Sequence, residues 1–156
     1  MAWEFHVLVV ANVTATSDEL LATLRERSGR GPSRFTLVVP RGGPDAEKRL
    51  AEALDAMRAA GLERVGGHVG DRDPVVAAME AWDPMRFDEV VVSTLPTGMS
   101  RWLGLDLPRR LEKLTGVPVH HVVSQPPAEV HWERPAEHES YGVLSPLAAA
   151  LARKNP

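Results

Sequence analysis

Residues 88 to 124 read DEVVVSTLPTGMSRWLGLDLPRRLEKLTGVPVHHVVS, and this stretch decides the fold. Val90, Val91 and Val92 are a β-branched run that predicts a strand. The run feeds a Thr/Pro/Gly loop, Ser93 to Arg101, and the loop feeds an amphipathic helix. A second β-branched run, Val117 to Val123, follows. Strand, crossover helix and strand in that order imply parallel pairing. The polar loop then lies at the carboxyl end of a strand, where open α/β sheets bind ligands.

Upstream the same alternation repeats. Residues 5 to 11 (FHVLVVA) are nearly continuous apolar, as a strand buried on both faces should be. Thr16 with Glu19 reads as a capping box, and Leu20, Leu21 and Leu24 follow at helical spacing. Phe35 to Val39 predicts the second strand. Pro44 opens a helix with Leu50, Ala53, Leu54 and Met57 on one face, and Gly61 stops it. Glu63 to Val69 is a weaker third strand, interrupted by Gly66 and Gly67. Asp73-Pro74 is an N-cap followed by proline at the first helical position, with Val75, Val76, Met79 and Trp82 as the apolar face. The order is β-α-β-α-β-α-β-α-β, a parallel sheet with helices on both faces. After Ser124 the pattern stops: Gln125-Pro126-Pro127 reads as a linker, and Ser145-Pro146 caps a short Leu/Ala helix. The expected division is 1–124 for the α/β domain and 125–156 for a C-terminal extension.

Composition excludes several classes. The chain has 156 residues and a net charge of −3, which leaves no basic footprint for nucleic acid. No cysteine is present, so disulfides, thiol catalysis and cysteine–metal sites are excluded. No apolar run approaches the roughly 18 residues of a membrane span, and no signal peptide is visible, so a cytoplasmic domain is expected. The excess of arginine over lysine fits a GC-rich bacterial genome. His120 and His121 are adjacent in a strand and point to opposite faces, so one metal ion cannot take both without distortion. His131 and His138 form no metal motif. Ser93, Thr94, Thr97 and Ser100 have no base placed by sequence to activate them, and no G-x-S-x-G elbow exists. Their hydroxyls are expected to satisfy loop and cap N–H groups. Trp102 reads as a core or interface residue, and Arg109 and Arg110 as solvated helix charges.

Over residues 5 to 124 the chain resembles the universal stress protein family. The segments that carry the resemblance are VLVVAN in the opening strand, VGDRDP before the third helix, DEVVVST, MSRWL after the loop, and TGVPVHHVV. Their order and spacing together are more specific than any one part. The resemblance implies a flavodoxin-like three-layer α/β/α sandwich with a five-stranded parallel sheet of order 3-2-1-4-5. It also implies a homodimer through the last strand, Val117 to Val123, and a pocket between the ends of strands one and four. That pocket would be lined by Ala11, Asn12, Val39, Thr94, Thr97, Gly98, Ser100 and Arg101, with Asp106 beside it. Its ligand would be ATP or AMP.

The family's nucleotide motif, G-x-x-G-(nine residues)-G-[S/T], is not intact. Ser93 and Pro96 stand near the first two glycines, and proline supplies no N–H. Leu105-Asp106 stands where Gly-Ser/Thr would. A carboxylate at an N-cap takes the N–H groups a phosphate would use. At ~4–6 Å and an effective dielectric near 20 its repulsion is about 3 kcal/mol, roughly a hundredfold in affinity. Asn12 replaces the usual aspartate that ends the opening strand. The expected function is therefore a non-catalytic, dimeric stress-response regulator with a degenerate nucleotide pocket. The alternative is an ATP- or AMP-binding protein with a variant loop, with slow hydrolysis at most. The two part at Asp106: if its side chain turns away from the pocket, the alternative survives.

Overall fold

The computed structural model describes residues 3–96 and 98–125, so the expected linker, the C-terminal helix and Thr97 lie outside the described residues. The elements run β1 (Phe5–Val10), α1 (Asp18–Gly29), β2 (Ser33–Pro40), α2 (Ala46–Ala59), β3 (Val65–Gly70), α3 (Pro74–Ala81), β4 (Glu89–Thr94), α4 (Arg101–Gly104), α5 (Leu107–Thr115) and β5 (Val119–Val123). The five strands form one parallel sheet of order β3-β2-β1-β4-β5. This is the flavodoxin-like order that the family resemblance implied.

Strand alternation divides the core into two layers. Val7 and Val9 of β1 face one way and pack with Leu20 and Leu24 of α1 and Ala53 and Met57 of α2. Leu8 and Val10 face the other way and pack with Ala77 and Ala78 of α3 and Leu107 and Leu111 of α5. β4 is buried along its whole length, which accounts for the valine run at its centre. Its first residue, Glu89, is neutralised by Arg27 of α1 at 2.5 Å, and that guanidinium also lies over the Phe5 ring.

Several local expectations are corrected. The N-cap of α1 is Ser17, not Thr16: the Ser17 hydroxyl accepts from Leu20 N at 3.1 Å, and Glu19 accepts from Gln125 N instead of closing a capping box. Proline 44 precedes α2 by a turn, and Asp45 is the N-cap. On α3, Asp73 caps as expected, but the buried face is Val75, Ala77 and Ala78, while Val76 is 41% exposed. The expected single helix after the loop is two. Pro108 has no N–H to return to Gly104 O, so α4 ends there and α5 starts anew. The joint is Asp106, held at φ 53° in the left-handed region. Two of the three glycines of β3, Gly67 and Gly70, are not weak points. A Cβ on Gly67 would stand 2.3 Å from Leu37 O of β2, and one on Gly70 would stand 2.7 Å from Ala77 Cβ of α3. They allow the close approach of neighbouring elements.

Candidate functional site

β1 pairs with both β2 and β4, so the chain leaves its carboxyl end toward one side and arrives at β4 from the other. A crevice opens at such a switch point. Here it is a cavity of about 250 Å³. Asn12, Val13 and Thr14 after β1 form one wall, and Ser93, Thr94 and Leu95 at the end of β4 form the floor. Met99, Ser100, Arg101 and Trp102, from the loop and the start of α4, form the other wall. Among the described residues the lining holds one cation and no carboxylate.

A row of hydroxyls runs beneath the floor and reaches the cavity at Ser93 and Thr14. Ser17 Oγ donates to Ser124 Oγ at 2.8 Å, Ser124 and Ser93 are 3.0 Å apart, and Ser93 Oγ donates to Thr14 Oγ1 at 2.7 Å. Each hydroxyl owns one proton. Since the protons of Ser17 and Ser93 are already placed, Ser124 must donate to Ser93. The row therefore runs from Ser17 to Thr14, and Thr14, only 2% exposed, keeps its own proton for the cavity among the described residues. Beside it, Thr94 donates to Leu95 O at 3.0 Å, so His121 Nε2, 2.7 Å from Thr94 Oγ1, is the donor to Thr94. Burial, with the neighbouring His120 adding to it, holds His121 below its ordinary value of 6.5, consistent with a neutral ring.

The walls are tied to their elements. Arg49 of α2 donates from Nη1 to Asn12 Oδ1 at 2.7 Å. A guanidinium has only donors, so this bond fixes which end of the Asn12 amide is oxygen. A Cβ on Gly42 would come 3.3 Å from Asn12 Nδ2, so glycine keeps the space beside that nitrogen open. In the loop, Met99 N and Ser100 N both donate to Pro96 O, at 3.0 and 3.2 Å, and Ser100 Oγ accepts from Leu103 N at 3.4 Å. These amides are engaged within the loop.

Of the residues expected at the site, Asn12, Thr94, Ser100 and Arg101 line the cavity. Ala11 and Val39 are fully buried in the α1/α2 core layer and supply no surface to it. Gly98 makes the loop turn at φ 91°, and Thr97 lies outside the described residues. Asp106 is exposed, outside the lining, and its side chain caps no N–H, which corrects the expectation that its carboxylate occupies the helix amides. The left-handed backbone at Asp106 is the reason, since an N-cap side chain needs an extended backbone to reach back over the first turn. Thr14, Ser93 and Trp102 were not expected in the lining. Ser93 carried a signal, a hydroxyl ending a valine run, but its partners Thr14 and Ser124 are distant in sequence. Arg109 and Arg110 are exposed on α5, and His120 is exposed where His121 is half-buried.

No protein-family model and no curated protein sequence matches the chain. Among solved structures, it is similar to a universal stress protein in complex with cAMP. That match has 21% identity and a TM-score of 0.58, over 80% of this chain and 100% of that one. Its fold is that of a universal stress protein. The chain is also similar to protein Rv1636 from Mycobacterium tuberculosis H37Rv, with 18% identity and a TM-score of 0.45, over 76% of this chain and 95% of that one. On the universal stress protein fold, the cavity described above lies at the β1/β4 switch point, and the residue that most divided the sequence reading, Asp106, stands outside it.

Proposed function

We propose that this is a non-catalytic regulatory domain of the universal stress type, working as a homodimer through β5, whose cavity takes a compact nucleotide bearing one phosphate. The observation that carries the reading is the cavity's makeup among the described residues: apolar surface from Val13, Leu95, Met99 and Trp102, hydroxyls at its floor, Arg101 as the only charge, and no carboxylate. Trp102, Met99 and Leu95 suit a flat ring, and Arg101 suits the phosphate. A volume of about 250 Å³ lies just below the ~300–1,000 Å³ usual for small-molecule sites, which favours a monophosphate over a triphosphate. The loop argues the same way, because Pro96 O holds the amides that would cradle a phosphate chain. In this sense the pocket is degenerate for ATP and still open to a smaller nucleotide. The solved structure of similar fold that holds cAMP supports this size of ligand.

A thermal-shift panel of AMP, cAMP, IMP and magnesium-ATP tests the reading. At a hundred times Kd a monophosphate should add about 2.7 kcal/mol and raise the melting temperature by several degrees. Arg101→Gln should weaken that binding about tenfold, from the loss of one charge-assisted contact. Asp106→Gly should leave it within about threefold, because the side chain lies outside the cavity. A panel with no shift for any nucleotide sinks the proposal, and a larger shift for magnesium-ATP than for the monophosphates restores the triphosphate reading.

A further inference from the structure

The polar side chains of the cavity are not evenly divided between donors and acceptors. Arg49 donates to Asn12 Oδ1 and sets a cation beside it, so among the described residues the group of Asn12 with no bond is its NH₂, a donor, and the oxygen keeps at most one lone pair. The hydroxyl row delivers its last proton to Thr14, so Thr14 meets the cavity as a donor as well. Ser93 gives its proton to Thr14 and accepts from Ser124, and Thr94 gives its proton to Leu95 O and accepts from His121, so neither has a donor left and each keeps one lone pair. Ser100 accepts from Leu103 N and keeps its own proton, and Arg101 has donors only. The guanidinium of Arg49 also polarises the Asn12 amide, which strengthens its N–H groups.

From these independent observations we infer that the cavity selects a ligand whose neutral end carries carbonyl-type acceptors, a 6-keto purine and not a 6-amino one. The inference rests on the nucleotide reading of the same cavity and adds the choice of base. Arg101 meets the anionic end, leaving Asn12 and Thr14, after β1, for the neutral end. A keto base shows two adjacent acceptors, O6 and N7, on one edge, whereas an amino base shows an acceptor and a donor. Two donors match the first edge and set the amine of the second against a donor, and a buried unpaired donor is costly. Arg49 acts as a positioning residue: it touches no ligand but decides which atom of Asn12 the ligand meets.

Inosine and adenosine monophosphates, in 5′ and 3′,5′-cyclic forms, differ at this edge and suit the test by isothermal titration calorimetry. The wild-type protein should bind the inosine member of a pair about tenfold tighter. Asn12→Asp keeps the bond from Arg49 and turns the free group into an acceptor, so it should reverse the preference. Arg49→Met releases the amide to rotate, so the ratio should fall toward one while the melting temperature of the free protein stays within a few degrees. A wild-type ratio of one or below, or an Asn12→Asp variant with the wild-type ratio, overturns the inference and leaves the nucleotide reading standing. Absence of binding for all four nucleotides overturns both.

Discussion

Gly66 and Gly67 look alike in the sequence and have opposite surroundings. Gly67 pairs with Leu37 across β2/β3, and its Cβ would meet the Leu37 carbonyl oxygen, a backbone atom that cannot swing aside. A Cβ on Gly66 would meet nothing within 4 Å. Gly67→Ala should therefore destabilise the protein by about 1–3 kcal/mol. Gly66→Ala should be neutral or stabilising by up to about 1 kcal/mol, through the lower entropy of the unfolded chain. Urea midpoints of the two variants check the contrast, and equal midpoints would mean that β3 sits further from β2 than described. Asp106 teaches the same lesson: its identity promised a cap, but backbone conformation decides whether a carboxylate can reach an amide.

At the scale of elements, what was legible was what neighbouring residues dictate. The valine runs, Asp73-Pro74 and the helical leucines located strands and helices because burial on both faces, cap geometry and 3.6-residue periodicity are local properties. Pro108 could also have been read, four residues after Gly104, as the end of α4. The site was less legible because its bonds join distant segments: Arg49 to Asn12, Ser93 to Thr14, Ser124 to Ser17. No spacing rule pairs residues on different elements. The strand histidines lead to a prediction at this scale. His6 of β1 donates or accepts at Thr36 at 3.0 Å and lies against Phe87, and burial is the largest cause of its lowered pKa, with Arg86 and Arg34 adding to it. His121 of β5 is lowered in the same way. A histidine lowered on folding contributes its stability above the unfolded value of 6.5. That contribution is lost as pH falls through 6.5 toward the folded value, where the unfolded chain takes up protons first. Urea midpoints should be flat between about pH 8 and pH 7 and fall toward about pH 5.5. His121→Gln, which retains a donor for Thr94, should shrink the fall, and a midpoint that rises on acidification would contradict this account.

At the scale of the whole molecule, the sheet formed by the described residues has one edge at β3 and the other at β5. β5 has only five residues, with Val122 buried and Val123 exposed, and α5 beside it exposes Leu114. An apolar strand edge of this kind is a template for pairing with another chain. The proposed homodimer should run in light scattering at about twice 17.0 kDa at micromolar concentration. Val123→Lys should return it to a monomer, and a wild-type monomer would remove β5 as the seam.

The hydroxyl row has a consequence for how ligand and fold depend on each other. Its members come from the start of α1, the end of β4 and the residue that follows β5, so the row closes only when the last strand is seated. With β5 docked, Ser124 donates to Ser93 and commits the Ser93 proton to Thr14, so a ligand that bonds to Thr14 as a donor favours the chain with β5 docked. By linkage, whatever β5 docking adds to the ligand's affinity, the ligand adds to the docking of β5.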